Sequence, residues 1–243
     1  MMPAQRWRRG AFGKTWQGIA FNSVTTAKDI DLSDPDLETI PPVRPTVGIV
    51  GSFRAAVVGV LRTVATQRNM KVHLVSGLMV MIVGMALPLD LSTRVALLFA
   101  VAIVFFAEIL NTSLEALIDL FVKDFHRLAM LAKDAAAAGV LVLAVTTVIV
   151  LAEILRMEWH VVEQNLDAVW RSVTYGVPLV VVELLGLFLI GRGWPQLVRL
   201  GVSLALAWPL LGHTKDPLFG LVAVGLLLTS YGARAWFTPT RTA

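Results

Sequence analysis

Long apolar segments constrain this chain more than any other feature of its sequence. We place six of them at about 72–89, 95–118, 135–155, 174–191, 196–212 and 217–236. An α-helix of about 20 residues crosses the roughly 30 Å hydrocarbon core of a bilayer, and several of these segments approach that length. The 243 residues are 56% hydrophobic and only 16% charged, a composition that does not suit a soluble domain. The sequence therefore predicts an all-α integral membrane protein.

The region before the first span has a different character. Residues 1–48 are mixed and polar, with an acidic stretch that ends in Pro41-Pro42, and this pattern predicts a flexible tail. From about 47 to 67, apolar residues recur at helical spacing with Arg54 and Arg62 among them. Such a basic amphipathic pattern is typical of a helix lying in the membrane interface. The basic residues near the N-terminus suit an anionic lipid leaflet, and we do not expect nucleic acid as a partner.

The distribution of basic residues predicts the orientation in the membrane. Bases gather before the first span (Arg54, Arg62, Arg68, Lys71), between the second and third (Lys123, Arg127, Lys133), between the fourth and fifth (Arg192, Arg199) and at the C-terminus (Arg234, Arg241). The opposite side carries mainly acids: Asp90, Glu158, Glu163 and Asp167. Because loops rich in Lys and Arg stay on the cytoplasmic side, we expect both termini to be cytoplasmic.

The second predicted span contains polar groups that a plain hydrophobic helix would lack. Glu108, Asn111, Glu115 and Asp119 are separated by three, four and four residues, which puts them on one helical stripe. A carboxylate inside a span costs about 3 kcal/mol on insertion scales, so it usually faces a polar cavity with a function. Headgroup contact alone explains Asp119 but not the deeper Glu108 and Asn111.

A second polar cluster follows at the cytoplasmic end of this span. It comprises Lys123-Asp124-Phe125-His126-Arg127, and then Lys133-Asp134 at the start of the third span. Phosphoryl transfer needs carboxylates for a metal ion, cations for the phosphates and a group that aligns the acceptor hydroxyl. Both clusters together offer all three kinds of group. Spacing alone leaves a cation transporter open as the alternative.

These residues resemble the signature of the bacterial diacylglycerol kinase family. The run Glu108-x-Leu110-Asn111-Thr112-Ser113-Leu114-Glu115-x-x-Ile118-Asp119 is similar to it position for position, and Asp124-Phe125-His126 and Lys133-Asp134 follow at the family's spacing. Upstream, Ser52-Phe53-Arg54 and the run from Arg68 to His73 resemble the undecaprenol kinase branch. The resemblance covers roughly residues 50–155.

The resemblance implies an ATP-dependent lipid kinase of the bacterial inner membrane. It implies a homotrimer whose subunits each have a surface helix and a three-span core, with active sites at subunit interfaces. Undecaprenol is favoured over diacylglycerol as the lipid alcohol.

The resemblance also implies the roles of individual residues. Glu108 would be the catalytic carboxylate, acting with Asn111 at the lipid hydroxyl, and Glu115 would hold Mg²⁺ on the ATP phosphates. Contacts to ATP would come from Gln67, Asp124, His126, Lys133 and Asp134.

Gln67 departs from the family pattern, which has a metal-binding glutamate at this position. No Asp or Glu occurs from residue 39 to residue 89, so no neighbour in sequence replaces it. An amide is a weaker Mg²⁺ ligand than a carboxylate. We therefore keep a second hypothesis, a kinase fold with weakened or lost turnover.

The chain divides on this evidence into a tail (1–48), a kinase-like membrane domain (49–155) and an additional transmembrane segment (156–243). About three more spans are expected in the last part, which matches no pattern known to us. It contains Glu183 inside the fourth predicted span. An intramembrane carboxylate points either to a functional cavity or to structural pairing with Arg192 or Arg199, and the sequence leaves both open.

Overall fold

A computed structural model of the protein describes residues 48–122, 124–190 and 193–236. Every regular element in these ranges is a helix. The elements are α1 (Gly48–Thr66), α2 (Arg68–Ala86), α3 (Leu91–Phe121), α4 (Arg127–Met157), α5 (Trp159–Gln164), α6 (Leu166–Phe188), α7 (Trp194–Gly212) and α8 (Pro217–Trp236). The all-α prediction is confirmed. The predicted tail lies outside the described residues except for Gly48, which begins α1.

Six described helices are long and apolar enough to cross a membrane, which agrees with a multi-pass protein. This set of six helices differs from the six predicted spans at two helices. The amphipathic α1 meets the criterion, whereas α7, predicted as the fifth span, does not appear among the six. Polar Gln196 and Arg199 and the helix-interior Pro209 lower the apolar character of α7.

Helix α2 is the centre of the bundle. It packs against α3 on one side and against α6 and α8 on others, and α1 also contacts it. Two of its glycines permit this close approach: a Cβ on Gly77 would press against Val101 of α3, and one on Gly84 against Phe219 of α8. Small residues commonly allow membrane helices to approach closely in this way. The additional helices therefore pack directly onto the kinase-like part of the chain.

The two longest helices, α3 and α4, have 31 residues each. At 1.5 Å per residue each is about 46 Å long, more than the roughly 30 Å of hydrocarbon. Both helices are therefore longer than an untilted crossing requires, and the end of α3 lies beside the start of α4 at one end of the bundle. This is the end that carries both predicted polar clusters.

The opposite end of the bundle is held by polar contacts between loops and helix starts. Asp90 precedes α3 and accepts a hydrogen bond from the Thr93 backbone N–H at 2.8 Å. Arg94 forms a 2.9 Å ion pair with the buried Asp216, which lies immediately before α8. This pair links the second span of the kinase-like domain to the last additional helix.

Candidate active site

The acidic stripe of α3 runs from the protein interior to the exposed C-terminal end of the helix. Glu108 is only 1% exposed and Asn111 6% exposed, whereas Glu115 is half-buried and Asp119 exposed. The stripe continues the face of α3 that carries the buried apolar residues Leu97, Val101 and Val104. The four side chains therefore lie along one face of α3, as predicted. Glu108, the deepest of them, lies in the protein core.

Two of these side chains are joined directly. Asn111 donates a hydrogen bond from Nδ2 to Oε1 of Glu115 at 2.9 Å. This bond orients the amide so that its oxygen, Oδ1, points away from Glu115. The bond therefore ties Asn111 to the next acidic residue of the stripe.

The deep end of the stripe has polar atoms that the described protein does not satisfy. Oε2 of Glu108 and Oδ1 of Asn111 are buried and have no hydrogen-bond partner among the described residues. Leaving a buried acceptor without a partner costs about 1–3 kcal/mol, and more for a charged group. Oxygen atoms in this state are suited to accepting a hydroxyl proton or to binding a hard cation.

The second cluster is more open. Nζ of Lys133 lies 2.5 Å from Oδ1 of Asp119, so the start of α4 is paired with the end of α3. Asp124 and Asp134 are exposed, and His126 is an exposed residue directly before α4. Lys123 lies outside the described residues. Asp124, His126, Lys133 and Asp134 thus lie next to the exposed end of the acidic stripe along the chain.

Gln67 lies at the break between α1 and α2. Its backbone is extended, with φ −87° and ψ 125°, and its side chain does not cap α2. The residue is half-buried. A side chain at this break sits at the junction of the predicted surface helix and the first span, on the same side of the bundle as the end of α3.

The donor set offers oxygen ligands for Mg²⁺ but not a complete site. No group of three or more His, Cys, Asp or Glu side chains placed to hold a metal occurs among the described residues. Mg²⁺ usually takes one or two protein carboxylates and fills its remaining positions with water and substrate phosphates. The half-buried carboxylate of Glu115 fits such a sparse site. The chemistry of these donors therefore suits a cation that arrives with ATP.

Sequence reasoning missed two polar residues of a second buried cluster. Ser203 and Ser230 both donate hydrogen bonds to Glu183, which the sequence did single out. Isolated serines in apolar segments carry no signal until tertiary packing brings them to the carboxylate.

The comparisons with known proteins agree with the signature on α3. The family model for prokaryotic diacylglycerol kinase matches residues 54–155. A diacylglycerol kinase of Synechocystis sp. is 41% identical over 100 residues, covering 41% of this chain and 57% of the relative. The undecaprenol kinase of Bacillus subtilis is 35% identical over 99 residues, covering 41% of this chain and 80% of the relative.

A third relative matches a shorter part of the chain. The diacylglycerol kinase of Escherichia coli K12 is 36% identical over 75 residues, or 31% of this chain and 62% of the relative. The chain thus spans less than two thirds of the length of the Synechocystis and E. coli relatives. No solved structure matches the chain significantly. Residues 156–243 lie outside the matched family region.

Proposed function

The chain belongs to the prokaryotic diacylglycerol kinase family, and we propose that it transfers the γ-phosphate of ATP to the hydroxyl of a membrane lipid alcohol. The observation that carries this proposal is Glu108, a carboxylate buried in a span with one oxygen lacking a partner among the described residues. It stands within the family signature, and Asn111, Glu115 and Asp119 of that signature lie along the same face of α3.

The proposed reaction uses Glu108 at the acceptor hydroxyl. The lipid oxygen attacks the γ-phosphorus, the bond from that phosphorus to the β,γ-bridging oxygen breaks, and ADP leaves. Glu108 accepts or aligns the hydroxyl proton, a task for which a positioned carboxylate typically contributes 10²–10⁴-fold. Its depth suits a lipid whose hydroxyl enters from the membrane. Asn111 acts beside it at the lipid hydroxyl and positions Glu115.

Glu115 would hold the Mg²⁺ that accompanies ATP, with Gln67 as a weak second ligand. The bound cation neutralises charge on the transferring phosphoryl group. Asp124, His126, Lys133 and Asp134 are proposed to contact the nucleotide. Lys133 would then exchange its ion pair with Asp119 for contact with a phosphate, since an exposed pair of this kind is weak.

For the lipid, we favour undecaprenol over diacylglycerol. The named relatives include both kinds of kinase, and the stretch from Arg68 to His73 resembles the undecaprenol branch. We also propose the cytoplasmic orientation of both termini in a bacterial inner membrane, because the basic residues gather on the side that would face ATP.

A homotrimer is proposed from the family resemblance. The face of α3 opposite the acidic stripe bears a row of exposed apolar side chains at helical spacing: Phe99, Ile103, Phe106, Leu110, Leu114, Leu117 and Phe121. Helix α4 has a single buried residue, Val140, among its described positions. These outward faces leave room for contact between copies.

One specific observation favours a second function. Gln67 stands where the family has a metal-binding glutamate, so the chain would be a kinase-fold membrane protein with weakened or lost turnover. A cation or proton transporter is less well supported, since the intramembrane acids of the site are concentrated on one helix, α3, near one face.

The test is transfer of ³²P from labelled ATP in detergent–lipid micelles, with undecaprenol and diacylglycerol offered separately. Labelled lipid that disappears in Glu108→Gln is the expected result, and the preferred acceptor identifies the lipid. The matched control is Glu153→Gln, which removes an exposed carboxylate from α4. No transfer to either lipid by folded protein at high Mg²⁺ would reject the kinase and leave the inactive-fold hypothesis.

A further inference from the structure

A second buried polar cluster lies among the additional helices, outside the matched family region. Its members are Glu183 on α6, Arg199 and Ser203 on α7, and Ser230 and Arg234 on α8, all of them buried. The cluster is next to α2, because α2 packs against both α6 and α8. Lys71 on α2 lies 5.5 Å from the ring of Phe188 on α6. The proposed kinase does not use any of these side chains.

The carboxylate of Glu183, the acid of this cluster, accepts hydrogen bonds from two serine side chains. Ser203 donates a hydrogen bond to Oε1 of Glu183 at 2.6 Å, and Ser230 donates one to Oε2 at 2.5 Å. Arg199 lies further away, with Nη1 at 3.8 Å from Oε2. Glu183 therefore has a partner on each oxygen from a different helix. Of the two pairings that the sequence left open, the one with Arg199 is present as the longest of the three contacts, and Arg192 lies outside the described residues.

The guanidinium group of Arg199 has no hydrogen-bond partner among the described residues. The side chain of Arg199 is 1% exposed, yet its Nε, Nη1 and Nη2 donate no hydrogen bond to any described residue. The packing makes room for it, because a Cβ on Gly186 would overlap the Arg199 side chain. Burying a guanidinium whose donors lack acceptors is strongly unfavourable. The site therefore calls for an acceptor that the described protein does not provide.

The surrounding charge is also unbalanced. Arg234 donates one hydrogen bond to the Ile190 carbonyl at 2.5 Å, and its Nε has no partner among the described residues. Arg234 is close enough to both Arg199 and Lys71 to repel them electrostatically. Arg199, Arg234 and the neighbouring Lys71 carry three positive charges against the single carboxylate of Glu183, whose one cationic contact is Arg199. These four described residues therefore have an excess of two positive charges. A phosphate monoester carries about −1.5 to −2 charges at pH 7, which matches this excess.

We propose that Arg199, Arg234 and Lys71 form a binding site for a phosphate monoester between α2, α6, α7 and α8. Guanidinium groups suit phosphate because their forked donors match its oxygens. The ligand is either free inorganic phosphate or the headgroup of a lipid phosphate monoester. The site lies at the same end of the bundle as the acidic stripe of α3. The site is defined by its own donors and charges and does not depend on the proposed kinase.

The experiment uses the full chain, delipidated in a neutral detergent, with thermal unfolding followed by tryptophan fluorescence. Inorganic phosphate and dioctanoyl phosphatidic acid are titrated separately, and a phosphatidylglycerol of the same chain length serves as the phosphodiester control. We expect saturable stabilisation by a phosphate monoester at concentrations at least tenfold below those needed for phosphatidylglycerol. Stabilisation by inorganic phosphate assigns the site to free phosphate. Stabilisation by phosphatidic acid alone assigns it to a lipid headgroup.

Variants separate this site from the proposed active site. Arg199→Met and the milder Arg234→Gln should each raise the half-saturating concentration at least tenfold. Arg127→Gln, which removes an exposed base from the start of α4, should leave it unchanged. Glu108→Gln should also retain the stabilisation even if transfer activity is lost. The proposal is overturned if no phosphate monoester stabilises the wild type, or if Arg199→Met and Arg234→Gln respond like the wild type.

Discussion

Lys133 and Asp119 join the start of α4 to the end of α3 through an ion pair of 2.5 Å. The lysine side chain is 35% exposed and the aspartate 64% exposed, so water and salt screen the interaction. Exposed pairs of this kind typically contribute about 0.2–1 kcal/mol. The pair is therefore weak enough for Lys133 to leave it when a nucleotide phosphate is bound.

We expect a double-mutant cycle of Asp119→Asn and Lys133→Gln to give a coupling free energy below about 1 kcal/mol in the unfolding equilibrium. Unfolding of the detergent-solubilised protein measures it at low and high salt. A coupling of several kcal/mol that is insensitive to salt would contradict this assignment. It would also argue against a lysine that changes partners.

Substitution of Glu108 should separate activity from stability. Glu108→Gln keeps the shape of the side chain but removes the buried charge, so we expect transfer to fall by about 10²–10⁴-fold. The free energy of unfolding should stay the same or rise, because a buried carboxylate with an unpartnered oxygen is costly. Kinetics and unfolding are measured on the same preparation. Loss of activity together with loss of stability would instead indicate a structural role for Glu108.

Restoring a carboxylate at position 67 should alter the metal requirement. We expect Gln67→Glu to lower the Mg²⁺ concentration for half-maximal transfer, since Mg²⁺ prefers a carboxylate to an amide. The rate is measured against Mg²⁺ at saturating ATP. Thr66→Glu, which places the same charge on the exposed neighbouring residue, is the matched control. An unchanged Mg²⁺ requirement in Gln67→Glu would remove this residue from the metal site.

Two glycine-to-alanine substitutions test the packing around Arg199. Gly186→Ala should destabilise the protein by about 1–3 kcal/mol, because the new Cβ overlaps the buried Arg199 side chain. Gly139→Ala on α4 is the control, since no atom lies within 4 Å of the Cβ position there. It should stabilise by about 0.5–1 kcal/mol through helix propensity alone. Equal effects of the two substitutions would mean that Arg199 is not held against Gly186.

The start of α3 should give a pH-dependent contribution to stability. Hydrogen bonds from Ser92 and Thr93 lower the pKa of the exposed Asp90 to about 2, from an ordinary value of 3.8. Its folded-state pKa is depressed, so its contribution is complete above the unfolded pKa and is lost as the pH falls towards 2. The stability difference between wild type and Asp90→Asn should therefore be constant above about pH 5 and shrink below about pH 4. A difference that grows on acidification would contradict this.

The sequence by itself determined the helical membrane class, the approximate positions of the helices and the acidic stripe on α3. These features follow from local information: the length of the apolar segments, and a spacing of polar residues that matches the helical turn. The prediction was less successful at the margins. Helix α1 is apolar enough to span a membrane, whereas α7 is not among the spanning helices. In a segment of marginal hydropathy, a few polar residues and prolines decide whether the helix is apolar enough to span.

Only the tertiary structure decided which polar residues share an environment. It buried Glu108 while leaving Asp119 exposed and paired with Lys133, although both lie on one stripe. It brought Ser203 and Ser230, which lie 20 and 47 residues from Glu183 along the chain, to that carboxylate. It also left the buried donors of Arg199 without partners among the described residues. Such contacts depend on how α6, α7 and α8 pack against one another and against α2. Helical periodicity gives the face of each helix, but not the partner that covers it.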